Sequence, residues 1–105
     1  MKHNEFENWL NEIYTTQNGG RLQKRPRSDA MSRCKRVERY EGDLDDHYHQ
    51  YGMKGLLLRL NYTRGDQEAG INPQHSIPIQ GNMYNGTSSL KNAVNLYRQF
   101  CEYYY

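Results

Sequence analysis

Long apolar runs are what this 105-residue chain most conspicuously lacks. The longest is Leu56, Leu57 and Leu58, far short of the ~20 apolar residues a membrane-spanning helix needs. No apolar stretch of signal-peptide type follows Met1, so no secretory signal is visible. Aliphatic and phenylalanine side chains are also scarce, with four Ile, nine Leu, two Val and two Phe. That scarcity excludes a large core, and a high net charge beside it would point to disorder. The net charge is only +2, which is too small to draw an acidic partner by bulk attraction. Ten tyrosines supply ring surface instead, and a tyrosine can fill a core if its hydroxyl finds a partner or water. Residues 1–105 are therefore expected to form a single small domain with a thin, aromatic-rich core and modest stability.

Cysteine is nearly absent too. Cys34 and Cys101 are the only two, which excludes a disulfide framework and any Cys-rich zinc pattern. Both are expected to be reduced thiols in a cytoplasmic protein, with a single disulfide between them as the alternative, which the sequence does not demand. There is no internal repeat, no Gly-rich phosphate loop with a following Lys-Ser/Thr, and no Gly-x-Ser-x-Gly. An enzyme is accordingly not expected, and a metal-dependent nuclease is the remaining catalytic alternative. No cofactor is expected.

What is present reads as helices. In residues 4–15, Phe6, Trp9, Leu10, Ile13 and Tyr14 recur on one face at 3.6 residues per turn. Asn4 is the candidate cap, with Glu7 placed for a capping box, and Asn18-Gly19-Gly20 ends the segment. A basic connector, 21–27, follows, in which Pro26 is expected to block a helix. A second helix is predicted from about Ser28 to Glu41, with Met31, Cys34, Val37 and Tyr40 as its apolar stripe. A third is predicted over 45–60, capped by Asp43 or Asp45, with Tyr48, Met53, Leu56, Leu57 and Leu60 inward. Gly52 and Gly55 predict a break in it, or a close contact. Residues 61–87 read as a long polar loop with a short extended or hairpin piece around Ile77 and Ile79. The last helix, capped at Thr87 or Ser88, carries Leu90, Ala93, Val94, Tyr97, Phe100, Cys101 and Tyr104 on one stripe. The expected fold is all-α: four helices around Trp9, Leu10, Met31, Val37, Leu56, Leu57, Leu60, Leu90, Val94, Tyr97 and Phe100. The chain ends without a polar tail, which fits either a very small protein or the N-terminal module of a longer one.

Chemistry concentrates in one place. Between Arg21 and Arg39, eight basic residues stand against Asp29 and Glu38. Lys24, Arg25 and Arg27 would form a mobile arm, and Arg33, Lys35, Arg36 and Arg39 would fan over the second helix. Such groups hold phosphate backbones and gain from counterion release. Arginine adds a planar fork suited to phosphates and guanine edges, and Tyr40, Tyr48 and Tyr51 could stack on bases. A solvated helix face beside a flexible linker is the plainer alternative.

The following run, "DLDDHYHQ", carries Asp43, Asp45, Asp46, His47 and His49. His47 and His49, two apart on a helix, would face different sides and not share a metal, and the acids suit a helix N-terminus. No metal site is expected there. Cys34 and Cys101 fall on predicted apolar stripes, where cysteines serve as small core residues.

The order "SRCKRVERYEGDLDDHY", "LLLRLNYTRGDQ", "IPIQGNMYNGTSSL" and "LKNAVNLYRQF" resembles small helical segments near the N-termini of bacterial restriction-type, nuclease-type and prophage proteins. The resemblance covers about residues 28–102. Its closing helix matches at Ser89, Leu90, Ala93, Tyr97 and Phe100. It implies a DNA-handling context and an accessory binding role. Two expectations follow. The first is a nucleic-acid-binding domain, for DNA, using Lys24, Arg25, Arg27, Arg33, Lys35, Arg36 and Arg39. The second is a protein-interaction module that self-associates or docks on a nuclease or defence complex, as a phage-encoded inhibitor would. Neither involves a membrane.

Overall fold

A computed structural model describes residues 1–105. The chain is all-helical. Its helices are α1 (His3–Glu12), α2 (Lys24–Glu41), α3 (Leu44–His49), α4 (Lys54–Arg59), α5 (Arg64–Glu68) and α6 (Met83–Tyr104), with a 3-10 turn at Tyr51–Met53. No helix is long and apolar enough to cross a membrane.

The two longest helices, α2 and α6, form the main pair. Small residues meet between them, and the Cys34 thiol donates to the Ala93 carbonyl at 3.3 Å. α1 lies across this pair and buries Phe6, Trp9 and Leu10. Phe6 meets Tyr97 edge-on with ring centroids 4.9 Å apart, and Phe100 sits 5.5 Å from Phe6. Leu44, Met53, Leu56, Leu60 and Ile77 close the core. Every residue of the expected core is buried except Leu57, which is half-buried at its edge.

Several boundaries differ from the sequence reading, each for a local reason. α1 is capped by Lys2 without a side-chain bond, so Asn4 and Glu7 form no capping box. It ends at Glu12, which turns Ile13 out to solvent and leaves Tyr14 tilted on Trp9 at 5.3 Å. α2 starts four residues earlier than predicted, with Pro26 inside its first turn. The first amides of a helix have no intrahelical partner, so a residue without an N–H loses nothing there. The predicted third helix is two helices. Tyr51, Gly52 and Met53 all have φ between 62° and 75°, which breaks it as Gly52 suggested. Gly55 meets nothing within 4 Å, so no close contact requires it.

The long loop contains no strand. It carries α5, whose capping box pairs Thr63 and Asp66 reciprocally. The segment that returns to α6 is tied down by polar bonds. Glu41 accepts from the Ser76 amide and hydroxyl and pairs with Arg59 at 2.8 Å. Buried His75 bonds Thr87 Oγ1 through Nε2 at 2.9 Å, and its Nδ1 accepts from the Ile77 amide. The imidazole is therefore the neutral Nε2–H tautomer, since Nδ1 must keep its lone pair.

α6 starts at Met83, capped by Asn82 rather than Thr87 or Ser88. Gly86 lies inside it because Ile79 packs where a Cβ would stand. Gly86→Ala is expected to cost about 1–3 kcal/mol by overpacking, despite alanine's better helix propensity. Gly55→Ala, in open space, is expected to gain up to about 1 kcal/mol. Urea denaturation of the two variants checks the opposite signs.

Candidate nucleic-acid interface

α2 sorts its charges by face. At 3.6 residues per turn, Lys24, Arg25, Arg33, Lys35, Arg36 and Arg39 fall within an arc of about 180°. The buried Ala30, Met31, Cys34 and Val37 lie on the opposite side. All six cations are exposed, and none has a carboxylate within 4.0 Å. Arg36 and Arg39 flank the exposed Tyr40 ring, 5.9 and 6.0 Å from its centroid. Arg36 also donates to the Pro78 carbonyl, which fixes its guanidinium beside the returning loop. The one acid on this arc is Asp29, half-buried among Leu22, Pro26 and Arg33.

Three of the seven expected contacts change character. Lys24 and Arg25 belong to the first turn of α2 and not to a mobile arm. Arg27 turns toward the core side and donates to the Leu22 carbonyl at 2.6 Å. The structure thus gathers six of the seven on one rigid face and sets Arg27 apart.

The acids at the end of α2 are engaged elsewhere. Glu41 holds Arg59 and Ser76, which keeps its carboxyl below the usual range although burial opposes this. Glu38 caps the Leu44 amide and pairs with the Met1 amine at 2.9 Å. The same amine reaches Asp43 at 2.7 Å and Asp45 at 3.2 Å. Burial disfavours its charge, but Asp43, Glu38 and Asp45 together raise its pKa from 8.0 to about 11. Asp43 is likewise partly desolvated, yet the amine and a bond with Glu38 hold it down at about 2. Asp43 also caps α3, accepting from Asp45.

The histidines of "DLDDHYHQ" go separate ways. His47 Nε2 meets the Glu41 carbonyl at 2.6 Å, and His49 packs edge-on to Tyr105 at 4.6 Å. No three His, Cys, Asp or Glu side chains converge as a set of metal ligands. Cys34 and Cys101 are free and buried. Burial, with Glu38 nearby, pushes the Cys34 thiol up, and burial with Asp45 nearby pushes Cys101 up to about 12. Neither is an activated thiolate.

These groups define a pH window for stability. Burial lowers the His75 pKa below 6.5, partly offset by Glu41. As pH falls below 6.5 the unfolded histidine takes a proton that the native one refuses, so stability declines. The Asp43 contribution is complete above 3.8 and is lost as pH falls through about 2. The amine's contribution is complete below 8.0 and is lost as pH rises through about 11. Thermal midpoints should therefore peak between pH 6.5 and 8.0. His75→Gln should flatten the decline between pH 6.5 and 5 while leaving the alkaline side unchanged.

Sequence reasoning did not find the His75–Thr87 pair or the carboxylates around Met1. An isolated histidine in a polar loop gives no sign of a partner 12 residues on. Comparison with protein-family models, curated proteins and solved structures returns no match.

Proposed function

We propose that this chain is a cytoplasmic nucleic-acid-binding accessory domain that grips DNA through the cationic face of α2. The observation that carries the reading is the segregation of charge along that helix. Six cations face solvent without an acidic partner, while Glu38 and Glu41 are engaged on the far side. From Lys24 to Arg39 the face runs about 22 Å along the axis, the rise of about six base pairs. Its cations are held on a helix buried against α6, so less freedom is lost on binding than a flexible arm would lose. Arg36 and Arg39 beside Tyr40 add a stacking surface to the phosphate contacts. No catalytic step is assigned to the domain.

Binding through phosphates has a signature in salt. A fluorescein-labelled oligonucleotide titrated at several ionic strengths should give a log–log slope of about −3 to −5, as four to six contacts require. A flat response, or no binding at low salt, removes the proposal.

The alternative is a protein-interaction module with an acidic partner on the same face. Head-to-tail self-association draws less support, because Asp43 and Asp45 are already engaged by the Met1 amine. Light scattering across the same salt series separates the two. A concentration-dependent dimer without oligonucleotide affinity would favour the module.

A further inference from the structure

A second polar surface lies beside the first, between α6 and the α4–α5 junction. It is a groove of about 760 Å³, within the ~300–1,000 Å³ range of sites that take small-molecule-sized groups. One wall is a polar stripe of α6, with Tyr84, Ser88, Lys91, Asn92 and Asn95 at helical spacing. The other wall includes Asn61 and Arg64. No carboxylate lines it. Lys91 and Arg64 form no ion pair. Lys91 is steered by the Asn61 side-chain oxygen at 3.3 Å, and Arg64 lies over the Tyr84 ring at 5.2 Å. Tyr84 is anchored through its amide, which donates to Gln67 at 2.8 Å.

This lining is unlike an apolar small-molecule pocket. Two cations suit a phosphate. Three side-chain amides offer the paired donor and acceptor that base edges present. A half-buried tyrosine under a guanidinium offers a stacking face. In a duplex the Watson–Crick edges and the faces of the bases are taken up by pairing and stacking, so a paired base cannot enter a groove of this size, whereas an unpaired base can.

The groove also joins the cationic face of α2. Asn92 borders both the groove and the adjoining hollow at Ala30 and Arg33. Arg33 in turn shares a further hollow with Arg36, Pro78 and Ser89. A strand with its phosphates on Arg36 and Arg33 would thus continue past Asn92 to Lys91 and Arg64.

We infer that this groove binds an unpaired nucleotide of a single-stranded DNA segment whose neighbouring phosphates rest on α2. The inference rests on the proposed function and deepens it: a single strand, or a duplex with an unpaired end, is preferred over plain duplex.

The test titrates a short single-stranded oligonucleotide, the duplex of the same length, and a free mononucleotide. The proteins are the intact chain, an Arg64→Gln/Lys91→Gln variant and an Arg33→Gln/Arg36→Gln/Arg39→Gln variant. The intact chain should prefer the single strand by about tenfold, on the order of one stacked base. The groove variant should lose that preference and keep duplex affinity within about twofold, while the α2 variant should lose both ligands. The side-chain amide resonances of Asn61, Asn92 and Asn95 should shift with the single strand and not with the duplex, a readout independent of any substitution. Equal affinity for both forms, with the groove variant unchanged and the α2 variant impaired, would overturn the inference and leave the proposed function standing. No binding of either form by the intact chain would remove both. Competition by the free mononucleotide at the single strand's own concentration would show a small-molecule site and overturn the strand reading.

Discussion

Replacing Arg33, Arg36 and Arg39 together by glutamine should lower affinity for a duplex oligonucleotide by about 500-fold near 0.1 M salt. The size follows from counterion release. Each phosphate contact contributes about 0.9 to the log–log slope on duplex, so each is worth about eightfold between ~1 M and ~0.1 M salt. The slope itself should become shallower by about 3. The loss is not a folding effect, because the buried side of α2, from Ala30 to Val37, is untouched. Arg36 is the exception, since it donates to the Pro78 carbonyl, and that bond is worth about 1 kcal/mol of stability. Arg39→Gln alone has only the Tyr40 ring to lose and should change affinity by about eightfold with the thermal midpoint unmoved. The acids of the same helix should behave in the opposite way. Glu41→Gln would weaken the Arg59 pair and the Ser76 bonds, lowering stability without weakening the oligonucleotide. An affinity that follows stability across these variants would argue against a phosphate-binding face.

The sequence makes the periodic parts of this fold readable and hides the parts that depend on a distant partner. The inward stripes of α2 and α6 follow from spacing alone, and so do Trp9 and Leu10. Helix starts were harder to place. Asn82 caps α6 inside a run, "GNMYNGT", whose glycines and asparagines read as loop. The reason Gly86 tolerates that position is Ile79, which no local pattern reveals. Pro26 reads as a barrier because proline breaks helix interiors, but in a first turn that objection disappears. Thr63 and Asp66 have the capping-box spacing, yet the helix they start is only five residues long and has no apolar stripe. The charge-bearing face shows the same division. Its arginines and lysines were visible as a cluster. That Glu38 and Glu41 are drawn away from them depends on Met1, Arg59 and Ser76 meeting α2 from other parts of the chain.

Tyr97→Ala should cost about 3–5 kcal/mol, as truncation of a large buried aromatic does, and Tyr97→Phe markedly less. The difference separates two roles of one side chain. The ring is fully buried and packs edge-on against Phe6 at 4.9 Å and against Phe100 at 5.3 Å, so alanine leaves a cavity where α1 crosses α6. The hydroxyl does a different job. It accepts from the Lys2 amide at 2.8 Å and donates to Asp45 at 2.7 Å, joining the start of α1 to α3 through α6. Burial, with Asp45 adding to it, pushes the phenol far above its ordinary range, so the protonated hydroxyl that donates to Asp45 is favoured. Phenylalanine would preserve the ring contacts and strand the Lys2 amide. Asp45 would still have the Tyr105 hydroxyl at 3.2 Å and the Met1 amine. One unsatisfied donor, partly open to water, puts the Tyr97→Phe cost at about 1–2 kcal/mol. For a domain this small the alanine loss is comparable to the total stability of about 5 kcal/mol at the low end of the usual range. Tyr97→Ala should therefore be largely unfolded by circular dichroism at 37 °C, while Tyr97→Phe melts cooperatively about 10 °C below the parent. If phenylalanine proved as damaging as alanine, the hydroxyl bridge between Lys2 and Asp45, and not the ring, would be what holds α1 onto the α2–α6 pair.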